Sequence, residues 1–227
     1  MTEGLLILDK PAWISSAQAV DRIKRLLPRG SKVGHAGTLD PFATGVLVLL
    51  LGRATRHCQR IMDMPKTYEA RIRLGATTAT DDIESPEQPW QPPPAPPSRQ
   101  QIEQAAQSFV GWIQQRPPVY SAIKISGRRA CDRARRGAIV QLEPRPVRIY
   151  SIDVLDYAWP DLNLRIECGR GTYIRALARD LGEKLNVGGY LTALRRTRIG
   201  PFDVQQAVPL ESLTSQNIER YIHAAEW

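Results

Sequence analysis

Six consecutive aliphatic residues, Val46 to Leu51, follow directly on a segment that no regular element can accommodate. That segment, Gly34 to Gly45, contains three glycines and a proline in twelve residues. Glycine and proline interrupt helices and strands, whereas a short aliphatic run is typical of a buried strand. The pattern predicts an irregular loop that is delivered by a buried strand, and so a chain organised around a sheet.

Alternating and apolar patterns predict further strands. Residues Thr67–Leu74 alternate between polar and apolar side chains, which is typical of a strand with one buried face. Val147–Leu155 and Leu162–Cys168 predict a hairpin. The short apolar run Gly4–Leu8 predicts a buried strand that ends in a turn.

Three helix starts can be recognised from their capping residues. Ser15 with Gln18, and Ser98 with Gln101, have the spacing of a capping box. Thr172 is predicted to cap a third helix, whose apolar side chains recur at helical spacing. Interspersed helices and strands, with hairpins dominating, predict an α+β fold: a mixed, largely antiparallel sheet with flanking helices.

A proline-rich segment marks the predicted domain organisation. Residues 85–98 contain seven prolines, so we expect an exposed, polyproline-like insertion. It lies within a predicted main domain of residues 1–205, and residues 206–227 are expected to form a short C-terminal tail.

Composition favours a nucleic-acid partner. Lys and Arg outnumber Asp and Glu by 31 to 23, and the net charge of +8 suits a polyanion. Three scattered cysteines are too few for a disulfide framework or a cysteine metal site, which favours a reducing cytoplasm. The apolar runs are too short for a signal peptide or a membrane span, so no membrane partner is expected.

Asp40 is the first candidate for chemistry. It lies in Gly34-His35-Ala36-Gly37-Thr38-Leu39-Asp40-Pro41, where small residues let a ligand approach the backbone closely. The alternative is that Asp40 only forms an Asp-Pro turn. His35 is weaker, because three histidines in the chain do not suggest a metal site, and a hydrogen-bonded loop histidine would explain it.

Arg175 and Tyr68 are the next candidates. Arg175 falls in the first turn of a predicted helix, where the helix dipole disfavours a cation by roughly 0.3–1 kcal/mol. A buried carboxylate such as Asp40 would compensate, and the alternative is a guanidinium that bends out to solvent. Tyr68 lies on the apolar face of its strand, so it is either a core aromatic or a ring that stacks on a base.

Two arginine clusters suggest phosphate contacts. The alternative is that they line a solvated helix face. Their members are Arg128, Arg129, Arg133, Arg135 and Arg136 in the first cluster, and Arg195, Arg196 and Arg198 in the second.

The octapeptide around Asp40, followed by Ala43-Thr44-Gly45, resembles the active-site motif of TruB-type tRNA pseudouridine synthases. Other segments resemble the family in the same order, and together they cover roughly residues 3 to 205. They are Leu8-Asp9-Lys10-Pro11 with Ser15-Ser16, Lys66-Thr67-Tyr68, Ser121-Ala122-Ile123-Lys124, Gly171-Thr172-Tyr173-Ile174-Arg175 and Leu194-Arg195-Arg196.

The resemblance implies a role for each of seven residues. Asp40 is expected to be the essential aspartate, with Tyr68 against the target base and Arg175 paired with the carboxylate. His35 is expected to enter the RNA loop and Leu194 to pack near the flipped uridine. The remaining expected substrate contacts are Lys124 and Asp82, although Thr80-Asp81-Asp82 allows a slip of one residue.

The resemblance also implies a reaction, isomerisation of uridine to pseudouridine, with uridine-55 in the T arm of tRNA as the expected target. The bond between the ribose and N1 of uracil breaks, and the uracil rejoins the ribose through C5. Because there is no net redox change and no group transfer, neither a cofactor nor a metal is expected. The target nucleotide must flip out of its stack into a central active-site cleft.

Two departures from the family pattern are visible. Cys131 stands where the family usually has a tyrosine, which puts one local contact in doubt. About twenty residues follow the last matching segment, Arg195 to Phe202, so we expect no room for the C-terminal RNA-binding domain of longer relatives. We therefore expect weaker or differently distributed tRNA binding, with more of it resting on the arginine clusters.

Two other functions compete with this interpretation. One is a non-catalytic tRNA-binding or tRNA-folding protein on the same scaffold, which the arginines favour and the Asp40, Tyr68 and Arg175 set does not. The other is a nuclease acting through His35. A monomer is the default expectation for the oligomeric state.

Overall fold

The computed structural model describes residues 3–91, 95–121, 123–125, 128–134, 138 and 140–224. The chain divides into two compact units: unit 1 comprises residues 1–69 and 194–227, and unit 2 comprises residues 70–193. No helix in the described part of the chain is long and apolar enough to cross a membrane.

The secondary structure alternates between strands and short helices. The strands are β1 (Gly4–Lys10), β2 (Val33–His35), β3 (Thr44–Leu51), β4 (Lys66–Leu74), β5 (Ala76–Thr78), β6 (Glu87–Pro89), β7 (Gly111–Gln115), β8 (Lys124–Ile125), β9 (Arg128–Arg129), β10 (Arg145–Ala158), β11 (Asp161–Cys168), β12 (Gly189–Ile199), β13 (Phe202–Asp203), β14 (Val208–Pro209) and β15 (Ile222–His223). The α-helices are α1 (Ser16–Leu26), α2 (Cys58–Asp63), α3 (Arg99–Gln107), α4 (Ala130–Ala134) and α5 (Ile174–Lys184).

The sheet of unit 1 is built on β1 and β3, which pair antiparallel from Gly4 opposite Leu51 to Lys10 opposite Gly45. On the other side of β3, β2 pairs antiparallel and β12 pairs parallel. Strand β1 also pairs with β14 in parallel and with β15 antiparallel. The predicted mixed, largely antiparallel sheet is confirmed.

Both faces of β1 and β3 are buried, as their aliphatic runs predict. One face packs against α1 and includes Leu8, Leu49 and Ile23. The other face packs against α2 and includes Ile7, Val48 and Ile61. Because core residues pack against both faces of β1 and β3, the ends of these strands are held in fixed positions, and a loop attached there has a fixed starting point.

Local sequence signals set the start and end of the first helix. In α1 the Ser15 hydroxyl accepts from the Gln18 amide at 3.1 Å, and the Gln18 side chain accepts from the Ser15 amide at 2.8 Å. The helix ends at Leu26, two residues before Pro28. The capping box at Ser98 is present in the same form, so both predicted capping boxes are confirmed.

Unit 2 contains the predicted hairpin, β10 with β11, and β7 pairs antiparallel with the other edge of β10. Strand β4 alternates between buried and exposed side chains as predicted. The described part of the C-terminal tail contributes β14 and β15 to unit 1. The boundary at residue 205 stays a prediction.

Three local predictions were wrong. The loop is shorter than expected, because β2 already includes Gly34 and His35 and β3 begins at Thr44. The proline-rich segment is not polyproline-like throughout. Gln88 and its neighbours form β6, an edge strand that pairs with β5. Thr172 does not cap α5: the N-cap is Tyr173, and the Thr172 hydroxyl donates instead to Gly169 at 3.1 Å.

Candidate active site

Asp40 lies in the loop 36–43 of unit 1, between β2 and β3. Its own carbonyl oxygen accepts from the Ala43 amide at 3.1 Å, which closes the turn just before β3 begins. The residue is partly buried. Since the turn is fixed at the start of a strand with two buried faces, the carboxylate is displayed from a rigid part of unit 1.

Arg196 fixes the N-terminal half of this loop. Its Nε donates to the carbonyl oxygen of Val46 at 2.8 Å. Its Nη2 donates to Gly37 at 3.0 Å, and its Nη1 donates to Thr38 at 3.5 Å. The side chain is 1% exposed, so the predicted phosphate contact is wrong for this residue: its donors are directed at backbone carbonyls.

Two glycines are needed where Arg196 meets the loop, Gly37 for its positive φ and Gly45 also for the space beside the backbone of Arg196. Gly37 and Gly45 have φ of +97° and +101°, in the left-handed region that side chains disfavour. A Cβ atom at Gly45 would lie 2.2 Å from the carbonyl oxygen of Arg196. The glycines that suggested a ligand-accommodating loop are therefore also required for its internal packing.

Lys10 fixes the other half of the loop. Its Nζ donates to Pro11 and Ile14 at 2.8 Å each, and to Pro41 at 3.2 Å, and the residue is 0% exposed. Burial lowers the pKa of Lys10 from 10.5 to about 8; the negative charge of Asp40 opposes the shift and Arg196 adds to it. Lys10 is a positioning residue beside Asp40 that the sequence analysis did not single out.

Ser16 completes the support. Its hydroxyl accepts from the Leu39 amide at 2.9 Å and donates to the Leu39 carbonyl at 3.1 Å. The residue directly after Asp40 is bound as well, because the Trp13 amide donates to Pro41 at 2.7 Å. Backbone groups on both sides of Asp40 are thus satisfied by side chains and by a neighbouring turn.

His35 lies at the end of β2 and is partly buried. Burial, together with the charge of Arg196, lowers the pKa of His35 below its ordinary value. Its buried Nδ1 has no hydrogen-bond partner among the residues that the structure describes. The lowered pKa of His35 favours the neutral imidazole, which does not suit a nuclease that needs a cationic histidine.

Tyr68 and Leu194 are both buried residues of unit 1, 8% and 7% exposed. Tyr68 lies on the buried face of β4 and Leu194 lies on β12. These two strands are linked within unit 1 by the Thr197 hydroxyl, which donates to Thr67 at 3.3 Å. Tyr68 thus takes the predicted position on the apolar face of its strand.

Arg175 and Asp82 form a buried ion pair in unit 2. The distance from Arg175 Nη1 to Asp82 Oδ2 is 3.0 Å, and the side chains are 6% and 2% exposed. The guanidinium also donates to the carbonyl oxygens of Thr80 and Tyr120, each at 3.0 Å. The alternative of an arginine that bends out to solvent is wrong, and a buried carboxylate does compensate its unfavourable place in the helix.

The carboxylate of Asp82 has further partners. Its Oδ1 accepts from the Thr80 hydroxyl at 2.5 Å and from the Glu84 amide at 2.9 Å. The neighbouring Asp81 pairs instead with Arg179, at 2.9 Å. Of the two adjacent aspartates, Asp82 is therefore the one that belongs with Arg175. The pairing of Arg175 with Asp40 stays a prediction.

Asp81 has an unusual electrostatic environment. Burial raises the pKa of Asp81 from 3.8 to about 6, and the charges of Arg179 and Arg175 offset only part of that effect. Arg179 divides its donors between Asp81 and Asp180, which lies 2.8 Å from Nη2. No local sequence pattern indicates this pair, and from the sequence Asp81 is only a possible substitute for Asp82.

Other predicted contacts involve side chains that the structure does not describe. The side chains of Lys124, Arg128, Arg129 and Cys131, and all of Arg135 and Arg136, lie outside the described residues. Within the described residues, there is no group of three or more His, Cys, Asp or Glu side chains that could hold a metal ion.

Comparison with known proteins shows two family matches. The profile of the TruB family pseudouridylate synthase N-terminal domain matches residues 24–174. The profile of the tRNA pseudouridylate synthase B C-terminal domain matches residues 175–225. The tRNA pseudouridine synthase B of Corynebacterium efficiens is 47% identical over 214 residues, which are 92% of this chain and 71% of the relative.

Solved structures show the same fold. A chain in the crystal structure of a Cbf5-Nop10-Gar1 complex is similar with a TM-score of 0.75 and 30% identity, over 97% of this chain and 60% of that one. A chain of an H/ACA RNP bound to a substrate RNA containing 2'-deoxyuridine is similar with a TM-score of 0.68 and 30% identity, over 92% of this chain and 52% of that one. This chain thus spans between half and three fifths of the length of these two.

Proposed function

Because the chain belongs to the TruB family of pseudouridylate synthases, we propose that it isomerises a specific uridine of tRNA to pseudouridine, at uridine-55 in the T arm, with Asp40 as the catalytic carboxylate. The observation that carries the proposal is the support of the loop 36–43 by hydrogen bonds from the buried side chains of Lys10, Ser16 and Arg196. A carboxylate on so constrained a loop can meet a reacting atom without reorganising.

Asp40 contributes a negative charge beside the scissile glycosidic bond. The buried ammonium of Lys10 faces the same loop, and its charge is attracted by that of the Asp40 carboxylate. Since Lys10 is bonded to Pro41, the residue after Asp40, it also fixes the direction of the turn. The protein thereby holds the carboxylate beside a cation and in place before RNA arrives.

The other site residues are proposed to bind the flipped nucleotide. Tyr68 offers an aromatic face to the base, and Leu194 offers apolar packing. Arg175 supports the carboxylate of the site, and Asp82 and Lys124 contact the substrate. A neutral His35 enters the RNA loop in the space vacated by the flipped uridine, because an uncharged ring replaces base stacking at lower desolvation cost.

We further propose that the protein acts in the cytoplasm as a monomer. The reduced thiols of Cys58 and Cys168 suit a reducing compartment. Light scattering on a size-exclusion column tests the oligomeric state, with an expected mass near that of one chain.

The decisive experiment compares Asp40→Asn with Asp21→Asn, a control in which an exposed aspartate of α1 is changed in the same way. Each protein is incubated with a T-arm stem-loop RNA, and pseudouridine is mapped by carbodiimide treatment and primer extension. We expect no product from Asp40→Asn, full activity from Asp21→Asn, and RNA affinity in both within about twofold of the parent protein.

The competing functions give different results in the same experiment. A non-catalytic RNA-binding protein would bind the stem-loop tightly and leave every uridine unmodified. A nuclease would shorten the RNA, and the products would disappear in His35→Ala while persisting in Asp40→Asn. Pseudouridine formation by Asp40→Asn at the parent rate would refute the assignment of the carboxylate.

A further inference from the structure

Trp13 combines an unfavourable backbone conformation with an exposed side chain. Its φ is +67°, in the left-handed region that bulky side chains rarely adopt. Its side chain is 66% exposed, so little packing compensates the strain. On local grounds a glycine would be favoured at this position. A strained, exposed tryptophan therefore indicates a role outside the folding of the chain.

The backbone around Trp13 is nevertheless rigid. The Trp13 amide donates to Pro41 at 2.7 Å, and Lys10 donates to the carbonyl oxygens on both sides of it, those of Pro11 and Ile14. The same Lys10 ammonium also binds Pro41. The turn that carries the indole and the loop that carries Asp40 are thus bound to one cation within unit 1.

We propose that Trp13 is a base-stacking residue of the RNA site, whose indole takes a nucleobase next to the flipped uridine. This inference rests on the proposed function and extends it to a substrate contact. When a nucleotide leaves its stack, its neighbour loses a stacking partner. An aromatic face beside the catalytic loop replaces that partner, and it does so for any base, because every base has a π face.

Charge on the following helix suits the same ligand. Trp13 is followed after two residues by α1, where Arg22 and Arg25 are exposed. Exposed cations and an exposed aromatic ring in neighbouring segments are typical of surfaces that bind single-stranded nucleic acid, since phosphates and bases can then both be engaged. The net charge of +8 disfavours a second copy of this chain and favours a polyanion, so RNA is the favoured occupant.

The test uses three substitutions that separate the ring from the backbone strain. Trp13→Phe keeps a ring, Trp13→Ala removes the ring but keeps a Cβ atom at positive φ, and Trp13→Gly removes both. The control is Trp112→Ala, because Trp112 is an exposed tryptophan of β7 in unit 2, 70% exposed. Affinity is measured with a T-arm stem-loop in the Asp40→Asn background, and stability by thermal unfolding without RNA.

We expect Trp13→Ala and Trp13→Gly to weaken RNA binding equally, by about tenfold. Trp13→Phe should stay within about threefold of the parent and Trp112→Ala within about twofold. Stability should follow a different order, with Trp13→Gly unfolding at a higher temperature than Trp13→Ala, because only glycine relieves the positive φ. Affinity thus reports the ring and stability reports the backbone.

Three outcomes would overturn the inference. The first is parent-like affinity in Trp13→Ala, the second is an equal loss in Trp112→Ala, and the third is an RNA-free dimer of the parent protein that Trp13→Ala dissociates. The proposed function fails separately, if the parent protein makes no pseudouridine. Weaker binding of the Trp13 variants would in that case still support the stacking contact.

Discussion

Arg175 and Asp82 are joined by an ion pair of 3.0 Å between two side chains that are both almost completely shielded from water. In such a place an unpaired charge is much more costly than the intact pair is stabilising. The backbone carbonyls of Thr80 and Tyr120 complete the coordination of the guanidinium. The pair is therefore a structural requirement of unit 2, whatever further contact Arg175 makes with substrate.

Removal of one partner should destabilise the protein strongly. Arg175→Met leaves the Asp82 carboxylate buried beside an apolar side chain, and we expect a loss of about 3–5 kcal/mol in the free energy of unfolding. The matched control is Arg99→Met, which breaks an exposed ion pair with Glu103 and should cost less than about 1 kcal/mol. Urea unfolding measures both, and equal losses in the two variants would contradict the prediction.

Arg196 should affect turnover more than RNA binding. Arg196→Lys keeps the charge, but a single ammonium cannot reproduce donors directed at Val46, Gly37 and Thr38. The loop that carries Asp40 then loses part of its support, so we expect kcat to fall by about 10²-fold while KM for RNA changes by less than about threefold. Steady-state kinetics measure the split.

A matched substitution shows whether the position or the charge matters. Arg195→Lys changes the neighbouring arginine, which forms a partly exposed ion pair with Asp9 at 2.7 Å. Because it does not bind the loop carbonyls, kcat should stay within about threefold of the parent. If Arg196→Lys raised KM and left kcat unchanged, the side chain would be an RNA contact, as its position in an arginine cluster first suggested.

The contrast between Arg196 and the capping boxes shows what the sequence could predict. Ser15 and Gln18 are three residues apart, and their interaction depends only on local geometry, so the start of α1 could be predicted. The glycines of the Asp40 loop were equally visible. Arg196 donates to carbonyls about 150 residues earlier in the chain. No local sequence pattern distinguishes such a buried guanidinium from an exposed one that binds phosphate.

The burial of Lys10 could not be predicted from the sequence, for a similar reason. In the sequence it closes a strand and precedes a proline, which is typical of an exposed turn. Its burial follows from the tertiary contact of that turn with Pro41. Tyr68 and the aliphatic strands could be predicted, because the pattern of apolar residues along a strand follows directly from the burial of its faces. The partners of buried charges depend instead on chain topology.

The lowered pKa of Lys10 makes stability depend on pH. In the unfolded chain the ammonium keeps its proton up to its ordinary pKa of 10.5, whereas in the folded protein it loses the proton at about 8. Between these values the unfolded state binds more protons, so the contribution of Lys10 to stability rises with pH. This contribution is lost as pH falls through 8.

The difference between the parent protein and Lys10→Met isolates this effect. We expect the free energy of unfolding of the parent to rise relative to the variant between pH 8 and 10.5 and the difference to be constant between pH 6 and 7. Urea unfolding across this range measures it. A difference that is independent of pH throughout would show that the folded protein does not perturb Lys10.

The raised pKa of Asp81 predicts the opposite pH dependence of stability, in the acidic range. Its pKa is raised from 3.8 to about 6 in the folded protein, so between these values the native state binds more protons than the unfolded state. The contribution of Asp81 to stability is therefore fully present below pH 3.8 and is lost as pH rises through 6. At neutral pH the ionised carboxylate remains buried at a cost that Arg179 only partly offsets.

Asp81→Asn should remove both the cost and the pH dependence. Asparagine tolerates the positive φ of +59° at this position, and its amide oxygen can still accept from Arg179 Nη1. We expect the variant to gain stability relative to the parent as pH rises from 4 to 6, with a constant difference from pH 7 to 8. Asp21→Asn serves as the control and should show no such gain. If Asp81→Asn were instead strongly destabilised at pH 7, the ion pair with Arg179 would outweigh the desolvation of the carboxylate, and the raised pKa could not stand.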